Sequence, residues 1–424
     1  MLLSFRFANH RSFRDEQQLN LLPVYDVDGE PDAETPLEAV PVAGIFGANA
    51  SGKSNIISAF SYLREMVGIS DRISEPGPGF RPRREPFRLD PDITGQPSSY
   101  AVDVLINGVK HTYGFAIDER EVTEEWLYAY PLRRKRVVFE RTKQRFEWGE
   151  ESRRSSIRRL EEIIAPTALF LSVSARFDAQ PSDRRIRDET TASLHEVFSW
   201  IYRGISRISS TTTSRRNWAQ WLTTPGRGPA VVELLGAADI GLEGVSVFRP
   251  VEDDLGNESG RERVQFLHRG SNGNVPFDLA DESSGTLRLF ELTARALPIL
   301  EDGGLLLVDE IDASLHPLLT ATLIRLFQSP HPNKRRAQLI FTTHDATLLG
   351  SIDGEDVLRR DEVWFTSKRE DGSSELFPLA EFKPRRQGEN RQKRYLNGSY
   401  GAIPDLSMSM FERAVTSRVD TDDE

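Results

Sequence analysis

The chain has 424 residues, 38% of them hydrophobic, with a formal net charge of −11 and no cysteine. That balance excludes a uniformly basic nucleic-acid binder, though not a local basic patch, and the missing cysteines exclude disulfides, zinc–thiolate sites and a thiol nucleophile. No apolar run reaches the length of a membrane span and the first residues carry no signal-peptide pattern, so a cytoplasmic protein with no membrane partner is expected.

In chain order, the first segment reads as strands: LLSFRFANHRSF, then QQLNLL, then the small, uncharged run Val42-Ala43-Gly44-Ile45-Phe46. The last of these suits a strand buried on both faces in a parallel sheet. The acidic stretch 26–38 reads as a loop. Next comes GANASGKS, of the form GxxxxGKS, followed by Ile56, Ile57, Phe60, Leu63 and Val67 at helical spacing. Strand, glycine-rich loop and helix form the context in which this spacing is a phosphate-binding loop. Gly47 and Gly52 lack a Cβ and let the backbone approach an anion. Ala48, Asn49, Ala50 and Ser51 complete the loop between them, and N–H groups at the helix start face the phosphates. Lys53 can reach the β- and γ-phosphates, and the Ser54 hydroxyl can ligate Mg²⁺. The loop does not read the base.

A loop rich in Pro, Gly and Arg follows at 73–86. SYAVDVLING, VKHTYGFAID and EVTEEWLYAY then read as an antiparallel sheet, with Asn107-Gly108 as a hairpin turn. From 152 to 235 the pattern turns helical, as in IRRLEEII and SLHEVFSWIYRGI, with no persistent heptads and a polar loop at 209–214. Strands resume at GVSVFRPV and ERVQFLHRG. A helix (287–297), an apolar strand (305–308), a helix (318–327) and another apolar strand (339–341) then alternate as in a parallel α/β sheet. The expected fold class is therefore α/β: a P-loop NTPase with a mixed sheet shared by both halves, an antiparallel β lobe and a helical insertion. The expected division is 1–150 and 239–380 for the two parts of the head, 151–238 for the insertion and 381–424 for a C-terminal extension ending in a frayed DTDDE.

Three further stretches carry chemistry. GGLLLVDE ends an apolar strand in Asp309 and Glu310, and ligands of parallel sheets bind beyond the carboxyl ends of the strands. Asp309 suits holding Mg²⁺, and Glu310 suits orienting and deprotonating a water. QLIFTTHD ends another strand in His344, which could bond the γ-phosphate or that water. A strand-end histidine is commonly structural, but this one follows the Asp-Glu strand by one helix. DESSGTLRLF opens a helix at Ser283-Ser284-Gly285-Thr286, either as an ordinary serine cap or as a second anion site. The P-loop serves its own nucleotide, so a second such site suggests a phosphate presented by another copy, sandwiched in a symmetric dimer.

In this order, GANASGKS, SSGT, LLLVDE, IDASLHP and TTHD resemble the ABC/SMC-type ATPase head, as in RecF and SMC proteins. The resemblance implies ATP and Mg²⁺ as cofactors, ATP hydrolysis, and a homodimer or higher oligomer. It implies that Ser284 and Gly285 reach the γ-phosphate across the dimer, that residues 311–317 form the D-loop and that His344 is the switch histidine. The chain departs from the pattern in having SSGT for LSGGQ. No Q-loop glutamine can be placed, Gln96 being nearest by position, and the adenine contact falls between the candidates Arg11 and Phe13. PFRLDP, YGFAID, LFLSVSARFD and GENRQKRYLNGSYGAIP resemble the coiled-coil-free RloA/AbiL type. That type implies anti-phage defence and a separate effector, RloB-like or nuclease-like. A RecF-like DNA-binding repair or recombination ATPase is the alternative, with DNA or RNA as partner and arginine clusters at 81–88, 133–136, 153–159 and 385–394 as its motive. An OLD-type nuclease fused to a Toprim domain is disfavoured, because only about eighty residues follow His344. Tyr395 and Tyr400, with Arg391, Lys393 and Arg394, either form a partner-binding or RNA-stacking face or, with Leu396, pack onto the core.

Overall fold

The computed structural model of the protein describes residues 1–25, 38–72, 83–177, 188–208, 222, 227–238, 241–248, 263–385 and 389–403. Most of the expected acidic loop (26–37), residues 73–82 of the arginine-rich loop, the polar loop at 209–214 and the DTDDE terminus lie outside them. The elements run β1 (Leu2–Ala8), β2 (Gln17–Asn20), β3 (Val42–Gly47), α1 (Lys53–Ile69), α2 (Pro91–Thr94), β4 (Ser98–Ile106), β5 (Val109–Ile117), β6 (Val122–Tyr130), β7 (Arg136–Thr142) and β8 (Arg145–Trp148). There follow α3 (Phe170–Phe177), α4 (Glu189–Gly204), β9 (Ile205–Ile208), α5 (Arg227–Ala238), β10 (Leu242–Phe248), β11 (Arg263–Gly270), β12 (Gly273–Asp278), α6 (Ser284–Asp302) and β13 (Leu305–Val308). The chain ends with α7 (Pro317–Gln328), β14 (Gln338–Thr342), the short β15 (Ser351–Ile352) and β16 (Glu355–Asp356), β17 (Val363–Lys368), β18 (Ser374–Pro378) and α8 (Arg391–Leu396).

The central sheet has the order β18-β17-β3-β14-β13-β9. All neighbours pair parallel except β18, which is antiparallel to β17. The P-loop strand β3 thus lies between two strands from the far end of the chain, and both halves share one sheet as expected. All six of its residues are buried. Gly44 is required there, since a Cβ would meet the Phe341 ring at 2.8 Å. Side chains alternate between two cores, as the strand period dictates. Ala43, Ile45, Leu305, Leu307 and Ile340 enter one core, and Val42, Phe46, Leu306, Val308, Leu339 and Phe341 enter the other.

The first core is closed by a seven-stranded antiparallel sheet, β2-β1-β4-β5-β6-β7-β8. The hairpin from β4 to β5 turns on Asn107 and Gly108, both at positive φ (50° and 79°), as a two-residue turn of that sequence demands. Ile56, Ile57, Phe60, Leu63 and Val67 of α1 are all buried in this core, with Phe60 stacked on Phe5. A third core joins α5, β10 and β11 to Phe290 of α6.

Between 151 and 238, where a helical pattern with one polar loop is expected, the structure also holds a strand. Residues Ser156–Glu162, which take in most of IRRLEEII, form 3₁₀ turns. α4 stops at Gly204, and Ile205–Ile208 become an edge strand of the central sheet, parallel to β13, burying Ile205 and Ile208. In the C-terminal extension Tyr395, Tyr400 and Ala402 are buried in the second core with Phe46 and Phe365, whereas Leu396 is exposed. Among the described residues no helix is long and apolar enough to cross a membrane.

A buried ion pair ties the antiparallel lobe to α3, which packs on α1. The Glu125 carboxylate accepts from the Phe170 and Leu171 amides (2.7 and 3.0 Å), from the Tyr113 hydroxyl (3.0 Å) and from Arg141 Nη1 (3.3 Å). Both charged side chains are fully buried, and removing one partner strands the other charge in a low dielectric. Arg141→Met should therefore lower stability by about 3–5 kcal/mol, read from the shift of the denaturant midpoint. A shift near zero would show that the carboxylate is neutral and self-sufficient.

Candidate active site

The P-loop leaves the carboxyl end of β3 through backbone that glycine alone accepts. A Cβ at Gly47 would stand 2.5 Å from both the carbonyl oxygen and the hydroxyl of Thr366, which faces it across the sheet. Gly52 has φ 112°, and a Cβ there would stand 2.7 Å from Ser374 Oγ. The Ser51 and Thr366 hydroxyls are 2.6 Å apart and hold the loop from beneath. On its flank Ser12 Oγ accepts from Asn55 Nδ2 (2.7 Å) and from Ser374 Oγ (2.8 Å). Gly52 is the N-cap of α1 and supplies no side-chain cap, so the helix start offers N–H groups to an anion. A cradle that a Cβ would fill, joined to an uncapped helix start, fits a polyphosphate.

Lys53 is buried, and its ammonium donates to the Gly47 and Ala48 carbonyls at 2.7 and 2.9 Å. Burial brings its pKa down to about 8, against the opposing pull of Asp309, Asp312 and Glu310. His344 Nδ1 lies 3.4 Å from Lys53 Nζ. Partial burial and then the neighbouring ammonium hold the imidazole below its ordinary value of 6.5, so it is neutral at pH 7.

Asp309 and Glu310 follow β13 directly. One Asp309 oxygen, Oδ1, accepts from Ser54 Oγ (2.9 Å) and from Thr342 Oγ1 (2.7 Å). Thr342 Oγ1 in turn accepts the Glu310 amide at 2.8 Å. Glu310 sits at φ 54°, a left-handed conformation that a non-glycine residue adopts only when its surroundings impose it. Arg288 of α6 contributes to that constraint, since its Nη2 donates to the carbonyls of both Asp309 and Glu310 at 3.0 Å. Asp312 Oδ1 is buried with no hydrogen-bond partner among the described residues. Among those residues no group of three or more His, Asp or Glu forms a ready-made metal cage. A divalent cation here would draw on Ser54, Asp309 and phosphate oxygens, the donor set Mg²⁺ prefers.

The structure thus brings Lys53, Ser54, Asp309, Glu310 and His344 together at the strand ends. Ser284 and Gly285 lie at the start of α6. Ser283 is the helix cap, its Oγ accepting the Thr286 amide at 3.0 Å, which leaves Ser284 exposed. With Ser283, Ser314, Leu315 and His316, Gly285 lines a cleft of about 260 Å³. Of the adenine candidates, Phe13 is excluded: it is fully buried with its ring edge-on to Phe7. Arg11 is exposed beside α1, bonded to Glu85 at 2.6 Å and 3.5 Å from Asn55 Oδ1. Reading the sequence missed Thr342 as the clamp on both acids, Arg288, and the hydroxyls of Ser12, Thr366 and Ser374. Only Thr342 carried a local signal, as a hydroxyl ending an apolar strand.

A family model described as "AAA domain, putative AbiEii toxin, Type IV TA system" matches residues 42–350. Solved structures similar to the chain include an SMC head domain from Thermotoga maritima, at 14% identity and TM-score 0.41, covering 89% of this chain and 98% of that one. Another is an SmcHead bound to the C-winged helix domain of ScpA, at 13% identity and TM-score 0.42, covering 90% and 99%. No curated protein matches.

The lowered pKa of Lys53 sets a pH dependence. A triphosphate prefers the ammonium, which the free protein loses as pH rises through about 8. Nucleotide affinity should hold at neutral pH and fall above that point by up to about tenfold per pH unit, measured by equilibrium titration. An affinity flat across this range would remove Lys53 from the phosphate site.

Proposed function

The chain belongs to the AAA-domain family whose model spans residues 42–350, and from that premise we propose that it is an ABC/SMC-like ATPase that binds ATP with Mg²⁺ and hydrolyses it between two copies of itself. Its fold is that of an α/β P-loop NTPase. The observation that carries the reading is the meeting at Asp309 Oδ1, where the P-loop Ser54 and the strand-end Thr342 converge beside the Lys53–His344 pair.

In this reading the backbone of Gly47, Ala48, Asn49, Ala50, Ser51 and Gly52 cradles the phosphates, and Lys53 neutralises them. Ser54 and Asp309 hold the Mg²⁺, which supplies charge neutralisation at the phosphates. Glu310 takes the proton of the attacking water, and the neutral His344 orients the terminal phosphate or that water. Ser284 and Gly285 complete the site of a second copy. The exposure of Ser284 and the place of Gly285 in a cleft with Ser314 and His316 support this.

The ATP-dependent closing and opening of the pair serves to hold or release a separate effector, RloB-like or nuclease-like, in cytoplasmic anti-phage defence. The RloA/AbiL-type motifs support this. Of the arginine clusters that motivate the DNA-clamp alternative, Arg84, Arg136, Arg391 and Arg394 bond to carboxylates or carbonyls of their own chain, whereas Arg133, Arg134 and Lys135 are exposed.

Glu310→Gln should cut ATP turnover by about 10²–10⁴-fold and accumulate an ATP-bound dimer, followed by phosphate release and light scattering. Wild-type turnover per chain should rise with protein concentration. Unchanged turnover in the variant, or a rate per chain independent of dilution, would sink the composite site.

A further inference from the structure

The hairpin of β17 and β18 lies past residue 350, where the match to the family model ends, yet it borders the phosphate loop. Thr366 of β17 is fully buried and pairs with Gly47 across the sheet. It packs so tightly under the first glycine of the loop that a Cβ there would stand 2.5 Å from both its carbonyl oxygen and its hydroxyl. Ser374 of β18 closes on Gly52 in the same way, its Oγ 2.7 Å from where a Cβ would be. The hairpin is anchored in turn, the Ser374 amide donating to the Ser12 carbonyl at 2.7 Å.

Ser51 is the loop residue that meets this support. It is buried, and its hydroxyl lies 2.6 Å from Thr366 Oγ1. Thr366 Oγ1 donates to the Phe46 carbonyl at 3.4 Å, so the proton between the two hydroxyls comes from Ser51. The Ser51 amide donates to the Ala48 carbonyl at 3.3 Å, and the same carbonyl accepts the Lys53 ammonium at 2.9 Å. The Ser51 hydroxyl is thus committed to β17, and the residue joins the turn of the loop to a rigid strand. Residues 48–50 arch between two points, Gly47 and Ser51, that both rest on Thr366. Within the arch Ala50 stands at φ 61°, left-handed backbone that a residue with a Cβ keeps only where its neighbours impose it.

We propose that Thr366 is a positioning residue of the nucleotide site, its hydroxyl holding Ser51 and, through it, the strained arch that presents backbone N–H groups to the phosphates. The inference rests on the ATPase reading above. Packing under Gly47 and bonding to Ser51 are separate contributions of the one side chain. Thr366→Val keeps the branched shape and removes the hydroxyl, Thr366→Ser keeps the hydroxyl, and Ser51→Ala removes the other partner. Thr366→Val and Ser51→Ala, singly and together, close a cycle that isolates the bond.

In the full-length chain, Thr366→Val and Ser51→Ala should each weaken binding of a non-hydrolysable ATP analogue roughly three- to tenfold, the worth of one hydrogen bond. The double variant should bind no more weakly than the weaker single one, and Thr366→Ser should restore affinity to near wild type. KM for ATP should rise in step with the lost affinity while kcat changes by less than about twofold. A purely structural role would lower the melting temperature and leave affinity where it was. The inference is overturned if Thr366→Val or Ser51→Ala binds the analogue as wild type does, if the two losses multiply in the double variant, or if Thr366→Ser binds as weakly as Thr366→Val. Should Thr366→Val fail to fold, Ser51→Ala decides by weakened or wild-type binding. Should wild type and Lys53→Ala bind the analogue equally poorly, the ATPase reading falls and takes this inference with it. Wild-type binding that Lys53→Ala abolishes and Thr366→Val leaves untouched removes this inference alone.

Discussion

Three parallel strands drawn from opposite ends of the chain finish at one edge of the central sheet, and their register holds the site together. β3 pairs with β14 from Val42↔Leu339 to Ile45↔Thr342, and β14 pairs with β13 from Gln338↔Leu305 to Phe341↔Val308. Parallel strands all deliver their carboxyl ends to the same side. The P-loop, Asp309 and Thr342 therefore emerge as neighbours even though about 290 residues separate Thr342 from the loop. A one-residue slip of β14 would turn Thr342 to the opposite face and release Asp309 and the Glu310 amide together.

The charges gathered there constrain one another. A buried ammonium, a neutral imidazole and three carboxylates share a small volume, and burial brings the lysine to about 8 against the carboxylates' pull. The strained Glu310 backbone stands because two elements hold it, Thr342 through its hydroxyl and Arg288 through paired bonds to adjacent carbonyls. Arg288 lies one turn into the helix that Ser284 begins. The start of that helix and the Asp-Glu peptide are thereby linked within one subunit, and a displacement of either is felt by the other.

The same sheet organises the flanks. β17 carries Thr366 opposite Gly47 and, on its other face, supplies Phe365 for Tyr395 and Tyr400 to stack upon. Residues from both termini thus border the loop: Ser12 near the start, Ser374 and Tyr395 near the end. In a parallel sheet the central strand has neighbours on every side, and here those neighbours come late in the chain.

What could be read locally was read well. GANASGKS between an apolar strand and an amphipathic run, Leu305–Val308 ending in two acids, and the Asn107-Gly108 turn each declare themselves within ten or so residues. Each depends on backbone geometry or side-chain period, which are local properties. The strand Ile205–Ile208, the burial of Phe13 and the clamp by Thr342 could not be read this way. A strand is decided by its partner, a base contact by exposure, and a positioning bond by which distant segments the sheet order makes adjacent. The residue types for phosphate chemistry are written in the chain in order, whereas their convergence on one Asp309 oxygen exists only once the strands have chosen their neighbours.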